Sequence, residues 1–127
     1  MAKTRVLIID DESRATKLVK IALESMGQFE VFEQNDGGKG LETAQNVRPD
    51  VVLLDIIMPG VDGSEVARQI QADPNLNRVV IIFLTAAVLP EETVARAGVI
   101  GGFPFIAKPY RIQELVTCMK QQLETRR

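Results

Sequence analysis

Short apolar runs alternate with amphipathic segments along the whole chain. The runs at 6–9, 51–54 and 79–84 contain only apolar residues, which is typical of strands that are covered on both faces. Two more strands are predicted, one at 29–33, where apolar and acidic residues alternate as at a sheet edge, and one at 103–107. Each predicted strand is followed by a segment with helical spacing.

Five helices are predicted from this spacing. The first covers residues 13–26, and its apolar stripe consists of Ala15, Leu18, Val19, Ala22 and Met26. The last carries a similar stripe, made by Ile112, Leu115, Val116, Met119 and Leu123. Weaker patterns predict helices around 41–47, over 64–72 and from Pro90 to Gly98. Alternation of this kind predicts right-handed crossovers, and therefore a doubly wound α/β fold with a five-stranded parallel sheet.

Composition narrows the classes of function. The 127 residues suffice for one domain with its own core, and 46% hydrophobic and 25% charged residues are ordinary values for a globular protein. A net charge of -2 gives no broad attraction to nucleic acid or to anionic membranes, so neither is expected as a partner. Cys118 is the only cysteine, which fits a reducing cytoplasm. Histidine is absent, which removes the usual general base and the commonest metal ligand.

Chemical groups follow four of the predicted strands. Asp10 and Asp11 come after the first strand, Asp55 after the third, Thr85 after the fourth and Lys108 after the fifth. Because the carboxyl ends of parallel strands share one edge of the sheet, we expect these side chains to converge. Three close carboxylates repel one another and need a counter-charge. Mg²⁺, which prefers oxygen ligands, and Lys108 would supply it.

Such a site suits a phosphoryl group. Asp55 is the natural nucleophile, because carboxylates form aspartyl-phosphates directly, while Lys108 and the Thr85 hydroxyl would pair with phosphoryl oxygens. Gly60 and Gly63 would give the following loop its backbone freedom. Singly, each feature has an ordinary explanation: acids complement a helix dipole, a lysine before proline is solvated, and threonine suits a strand end. Their joint occurrence favours phosphoryl chemistry.

Four motifs together give the chain a family resemblance. They are the acidic pair within residues 8–12, the segment 55–63 (DIIMPGVDG), the segment 84–86 (LTA) and the Lys–Pro pair at 108–109. With them the chain resembles the receiver domain of two-component response regulators, in the style of the chemotaxis response regulator. The resemblance implies a flavodoxin-like sheet whose predicted strands follow the order 2-1-3-4-5. It also implies that residues 1–127 form one receiver domain with no output domain.

The resemblance implies roles for the site residues. Asp55 is similar in position to the phosphoacceptor, and Asp10 and Asp11 are similar to the metal-binding acids. With Asp55 and the backbone carbonyl of Ile57, these acids would hold Mg²⁺. Lys108 looks like the lysine that pairs with the phosphoryl group. The protein would thus be a phosphoacceptor signalling domain, not an enzyme beyond its own phosphoryl transfer and self-dephosphorylation.

The resemblance also implies a switch and its partners. Thr85 looks like the switch hydroxyl and Phe105 like the switch aromatic residue, although tyrosine is commoner there. The phosphodonor would be a histidine kinase or a phosphotransfer protein. The output face, made of the fourth helix, the fifth strand and the last helix, would bind a downstream protein or form a homodimer. The segment 98–104 is more apolar than this loop usually is in the family.

Two other functions compete with the signalling switch. A Mg²⁺-dependent aspartyl-phosphate phosphatase uses a similar scaffold, but it has a second acid two residues after the nucleophile, where this chain has Ile57. A pure interaction module would have kept the fold and lost the chemistry. The complete set of acids, threonine and lysine at the strand ends argues against that module.

Overall fold

The computed structural model describes residues 2–86 and 99–126. Within these ranges the chain forms a main sheet, a separate two-stranded hairpin and four α-helices. The main sheet contains β1 (Thr4–Ile9), β2 (Phe29–Gln34), β3 (Val51–Asp55), β6 (Val80–Thr85), β7 (Val99–Ile100) and β8 (Phe103–Ala107). The hairpin is β4 (Ile57–Met58) with β5 (Val61–Asp62), and the helices are α1 (Ser13–Glu24), α2 (Gly40–Val47), α3 (Gly63–Ala72) and a C-terminal helix (Ile112–Thr125). None of these helices is long and apolar enough to cross a membrane.

The main sheet has the order β2-β1-β3-β6-β8-β7. Its first five strands are parallel, which confirms the predicted α/β fold and its strand order. The sixth strand, β7, was not predicted and pairs antiparallel with β8. The turn between them is Gly101-Gly102, and both residues have positive φ, as a tight two-residue hairpin turn requires. The predicted fourth helix, at 90–98, lies outside the described residues.

The core has one layer on each face of the sheet. Alternate residues of each central strand point to opposite faces, so that Val6 and Ile8 join one layer and Leu7 and Ile9 the other. One layer is completed by α1 and the C-terminal helix, and the other by α2 and α3. Residues 51–55 of β3 and 80–85 of β6 are all buried, as expected for central parallel strands.

The buried face of α1 differs from the predicted stripe. Leu18 and Met26, predicted on that stripe, are 69% and 39% exposed, and the helix ends at Glu24. Its buried residues are Thr16, Val19 and Leu23. The prediction of an apolar face containing Leu18 and Met26 was therefore wrong. The hydroxyl of Thr16 is satisfied by hydrogen bonds, and this lets a polar residue take an inward position.

Two side chains of α1 cover the outer edge of β2. The Val31 N–H donates to Glu24 Oε2 at 3.0 Å, and the Val31 carbonyl accepts from Lys20 Nζ at 2.7 Å. Lys20 and Glu24 also pair with each other at 3.1 Å. The Val31 N–H, followed by Lys20, lowers the pKa of Glu24. The backbone groups that an edge strand would expose at Val31 are thus bound within the chain.

We expect two leucines of α1 to differ sharply in their contribution to stability. Leu23→Ala removes a fully buried side chain and should lower the free energy of unfolding by about 2–5 kcal/mol. Leu18→Ala makes the same change in helix propensity at an exposed position and should cost less than about 1 kcal/mol. Urea unfolding of both variants measures the difference. Equal losses would contradict the assigned burial of α1.

Candidate functional site

An acidic cluster lies at the carboxyl edge of the main sheet. Asp10, Asp11 and Asp55 each place one carboxylate oxygen within 4.8 Å of the others. The Lys108 ammonium lies 2.8 Å from Asp10 Oδ2 and 3.6 Å from Asp55 Oδ2. The structure therefore brings together the four charged residues that the strand ends predicted. Their sum, three carboxylates and one ammonium, leaves an excess of negative charge.

Local backbone contacts orient the two buried acids. Asp10 directly follows β1, and its Oδ1 accepts the Glu12 N–H at 3.0 Å while its Oδ2 faces Lys108. Asp55 is the last residue of β3, and its Oδ1 accepts the Ile57 N–H at 3.2 Å. Asp11, in contrast, is exposed. The cluster thus combines two rigidly held carboxylates with one on the solvent side.

Burial and charge shift the site's pKa values in opposing ways. Burial raises the pKa of Asp55; the Lys108 charge works against this rise, and the Asp10 carboxylate adds to it. Burial alone would lower the pKa of Lys108, but its hydrogen bond to Asp10 and the charges of Asp10 and Asp55 outweigh burial, so the net shift is upward. Lys108 therefore stays a cation at neutral pH.

The donor set fits a hard divalent cation. Three convergent carboxylates with a surplus of negative charge offer the oxygen ligands that Mg²⁺ prefers, and the exposure of Asp11 leaves room for bound waters. Buried Asp10 and Asp55 are already oriented, so little rearrangement would be needed. The Ile57 carbonyl as a further ligand stays a prediction.

The loop after Asp55 folds into the β4–β5 hairpin. Gly60 in its turn has φ +69°, which agrees with the expected backbone freedom. Gly63 has no positive φ and serves a different purpose. A Cβ there would collide with the Asp55 carbonyl oxygen and would lie 2.7 Å from the Ile56 Cα. The expected freedom of Gly63 is thus really a requirement for space, because α3 begins directly against the chain that carries the phosphoacceptor candidate.

The predicted switch residues share one face of the sheet. Thr85 is the last residue of β6 and is fully buried, and its carbonyl accepts the Lys108 N–H at 2.8 Å. In the β6–β8 register Thr85 is paired with Ala107, and Phe83 with Phe105. Paired residues of neighbouring strands face the same side, so Thr85 and the half-buried Phe105 are diagonal neighbours.

An apolar groove of about 640 Å³ lies beside the cluster. Lys108 and Pro109 line it next to the acids, and Leu18 of α1 and Tyr110 line it further away. Burial raises the pKa of Tyr110. This groove was not predicted, because Leu18 was expected in the core and is instead 69% exposed.

A polar network behind Asp10 was also missed. The Asn35 side-chain amide donates to the Asp10 carbonyl at 2.8 Å and to Thr16 Oγ1 at 3.0 Å. Thr16 Oγ1 in turn donates to Glu33 Oε1 at 2.7 Å. The sequence shows only an asparagine directly after a predicted edge strand, and an asparagine in that place is typical of a turn.

Comparison with known proteins decides the family. The family model described as the response regulator receiver domain matches residues 6–120. This chain belongs to the response regulator receiver family. It is therefore a signalling module of the kind found in phosphorylation-controlled two-component systems, and the resemblance noted in the sequence is confirmed.

Several receivers and regulators are similar to this chain. The DNA-binding response regulator MtrA of Mycolicibacterium paratuberculosis is 32% identical over 121 residues, which cover 95% of this chain and 52% of MtrA. The regulatory protein AtoC of Escherichia coli is 31% identical over 123 residues, 97% of this chain and 26% of AtoC. This chain thus spans about half, or less, of these curated relatives. MtrA is named a DNA-binding response regulator. The expectation that no nucleic acid is a partner therefore does not fit full-length regulators of this kind.

Solved receiver structures share the fold closely. The receiver domain of the sensor histidine kinase PA1611 from Pseudomonas aeruginosa, with magnesium coordinated in its active-site cleft, has a TM-score of 0.80 at 28% identity, covering 98% of this chain and 100% of that one. The chemotaxis protein CheY4 of Vibrio cholerae also has a TM-score of 0.80, at 27% identity, covering 94% and 98%. A magnesium ion thus occupies the corresponding cleft of a similar receiver.

Proposed function

We propose that this domain accepts a phosphoryl group on Asp55 in a Mg²⁺-dependent reaction and thereby switches partner binding. The observation that carries the proposal is the convergence of Asp10, Asp11 and Asp55 with Lys108 at one sheet edge. A cluster of this composition suits phosphoryl transfer, in which the protein's main work is positioning and charge neutralisation.

The reaction exchanges one bond to phosphorus for another. An Asp55 carboxylate oxygen attacks the phosphorus, and the bond to the donor's leaving group breaks, so that this group departs with its electron pair. The leaving group would be a histidine nitrogen of a kinase or phosphotransfer protein. Lys108, already 3.6 Å from Asp55 Oδ2, would pair with a phosphoryl oxygen. Mg²⁺ held by the three acids and by the Ile57 carbonyl would neutralise the other oxygens.

Labelling with acetyl phosphate tests the phosphoacceptor. We expect the parent protein to incorporate one phosphoryl group in Mg²⁺ buffer, and Asp55→Asn to incorporate none, because an amide is not a competent nucleophile. Asp11→Asn removes a charged ligand and should weaken Mg²⁺ binding by at least about tenfold, since groups that only orient metal ligands already change affinity by that much. It should have little effect on folding, because Asp11 is exposed. Intact-protein mass spectrometry measures the labelling of the parent and of both variants. A series of Mg²⁺ concentrations reports the change in Mg²⁺ binding, and a sample with EDTA shows whether the metal is needed.

Asp36→Asn is the matched control for this labelling. The Asp36 side chain is exposed and caps a turn by accepting from the Gly38 N–H, and asparagine can accept the same bond. This variant should be labelled like the parent. Labelling of Asp55→Asn at the parent's rate, or labelling that persists in EDTA, would contradict the proposal.

The switch would run through Thr85 and Phe105. A Thr85 hydroxyl drawn toward a phosphoryl oxygen would free space on the sheet face that it shares with Phe105, and the ring could then occupy that space. Coupling of this kind is a population shift, typically worth about 1–3 kcal/mol. It would change the face of β8 and the C-terminal helix that binds a downstream protein or a second copy. The fourth helix of that proposed face lies outside the described residues.

The groove beside the cluster is the proposed docking site for a protein phosphodonor. It connects the exposed Leu18 of α1 with Lys108 and Pro109 at the phosphoacceptor. A protein bound there would bury exposed apolar area and bring a phosphohistidine to Asp55. The chain's partner would thus be recognised by an apolar surface, and not by charge alone.

Leu18→Asp distinguishes phosphorylation by a protein donor from phosphorylation by a small-molecule donor. The substitution puts a charge in the groove at an exposed position, so acetyl phosphate should still label Asp55 at the parent's rate. Transfer from a panel of purified, phosphorylated histidine kinases should slow strongly for every kinase that labels the parent. Gln121→Asp, on the exposed side of the C-terminal helix, is the control. Unchanged kinase transfer to Leu18→Asp would count against this docking site.

The lifetime of the phosphoryl group should depend on position 57. Hydrolysis needs a water aligned with the phosphorus, and polar side chains can orient such a water. Ile57 is 62% exposed and apolar, so its side chain cannot orient a water by hydrogen bonding and would instead shield the approach. We expect Ile57→Asn to decay severalfold faster than the parent after removal of acetyl phosphate, and Ile57→Val to match the parent. Equal decay of all three would show that position 57 does not govern the lifetime. A second position that we expect to matter is Ala87, two residues past Thr85, because it too lacks a polar side chain; it lies outside the described residues.

A further inference from the structure

We propose that Asn35 is a positioning residue of the phosphoacceptor site, which holds the acidic loop through its side-chain amide and is itself oriented by the Thr16 hydroxyl. The inference rests on the proposed function, because it concerns the same acids. Asn35 touches neither the carboxylates nor Lys108 in the hydrogen bonds described. It acts through the backbone of Asp10.

Asn35 lies where the β1–β2 ladder ends. The Asp10 N–H donates to the Gln34 carbonyl at 3.2 Å, and in a regular parallel ladder the N–H of residue 36 would donate to the Asp10 carbonyl next. Here the Asp36 N–H donates instead to Gln34 Oε1 at 2.9 Å. Asn35 Nδ2 takes the vacated place, 2.8 Å from the Asp10 carbonyl. A side chain thus extends the sheet by one hydrogen bond, at the residue that begins the acidic loop.

The orientation of the Asn35 amide is determined by its second partner. Its nitrogen has two hydrogens, of which one points to the Asp10 carbonyl and the other to Thr16 Oγ1 at 3.0 Å. Thr16 Oγ1 lies near two acceptors, Glu33 Oε1 at 2.7 Å and the Ser13 carbonyl at 3.0 Å. Its single hydrogen goes to the closer, charged acceptor. An inverted amide would place an oxygen against the Asp10 carbonyl, so only one orientation is consistent.

This arrangement restrains the residue on which the cluster depends most. Asp10 is 1% exposed and binds Lys108, and Asp11 follows it directly. The carboxylates repel one another, so a loosened loop would move them apart before a cation could bind. Groups that orient metal ligands without touching the metal commonly change metal affinity by about 10- to 100-fold. The alternative is that the network only contributes to stability, as any partly buried hydrogen bond does.

Asn35→Leu tests the inference directly. Leucine has a similar size and no hydrogen-bonding group, and we expect it to raise the Mg²⁺ dissociation constant by about tenfold or more. Titration calorimetry with MgCl₂ alone measures this constant, independently of phosphorylation. In metal-free protein, the NMR shift of the Glu12 amide, which donates to Asp10 Oδ1, should also change. Gln45→Leu removes a comparable amide bond, to Asp73 at the far end of α3, and should leave Mg²⁺ binding unchanged.

Two substitutions of Thr16 separate positioning from stability. Thr16→Ser keeps the hydroxyl and loses a buried methyl group, whereas Thr16→Val keeps the shape and loses the hydroxyl. If affinity follows the hydroxyl, Thr16→Ser should bind Mg²⁺ like the parent and Thr16→Val severalfold more weakly. If affinity follows stability alone, both variants should weaken binding. This pair also decides the matter if Asn35→Leu does not fold.

The outcomes distinguish this inference from the proposed function. Mg²⁺ binding by Asn35→Leu at the parent's affinity, or equal weakening by both Thr16 variants, would overturn the positioning role while Asp55 labelling stands. A parent protein that neither binds Mg²⁺ nor is labelled would overturn the proposed function and this inference together.

Discussion

The contact between the Lys108 ammonium and two buried carboxylates is the interaction on which the site depends. Asp10 directly follows β1 and Asp55 ends the neighbouring strand β3, and without a cation between them their charges would repel one another. Lys108 reaches them from β8, across the end of β6, and its backbone N–H is held by the Thr85 carbonyl. One lysine therefore ties together the carboxyl ends of four strands. The negative charge that Lys108 leaves uncompensated is the basis for proposing that this edge binds a second, divalent cation.

The sequence predicted the sheet and the charged residues because both follow from one pattern. A fully apolar run such as residues 51–54 is typical of a central strand of a parallel sheet, and a charged residue directly after such a strand lies at the carboxyl edge. Asp10, Asp55 and Lys108 converge for this reason, without any contact needing to be known in advance. The predicted roles of Thr85 and Phe105 depend on movement, and a static register can only make them neighbours.

Two features were not predicted because a polar side chain takes a place that a backbone group or an apolar side chain was expected to fill. Thr16 is buried and Leu18 is exposed, the reverse of their hydropathy, because the Thr16 hydroxyl has partners inside. Asn35 looked like a turn residue because its hydrogen-bond partner, the Asp10 carbonyl, is 25 residues away in the sequence. The β7–β8 hairpin had a usable signal, two glycines between apolar residues, but strands of two residues are too short for periodicity to detect.

The Lys20–Glu24 ion pair, which binds the outer backbone groups of β2 at Val31, has a consequence for self-association. An open strand edge is a template on which other chains can add strands, and natural sheets guard against this with charged side chains. At Val31 both backbone groups are already bound, by the same ion pair. The pKa of Glu24 is lowered in the folded chain, so this protection is complete above the unfolded-state pKa and is lost as the pH falls through the folded-state value. Acid would thus weaken the hold of Glu24 on the Val31 N–H, whereas the Lys20 ammonium would still cover the Val31 carbonyl.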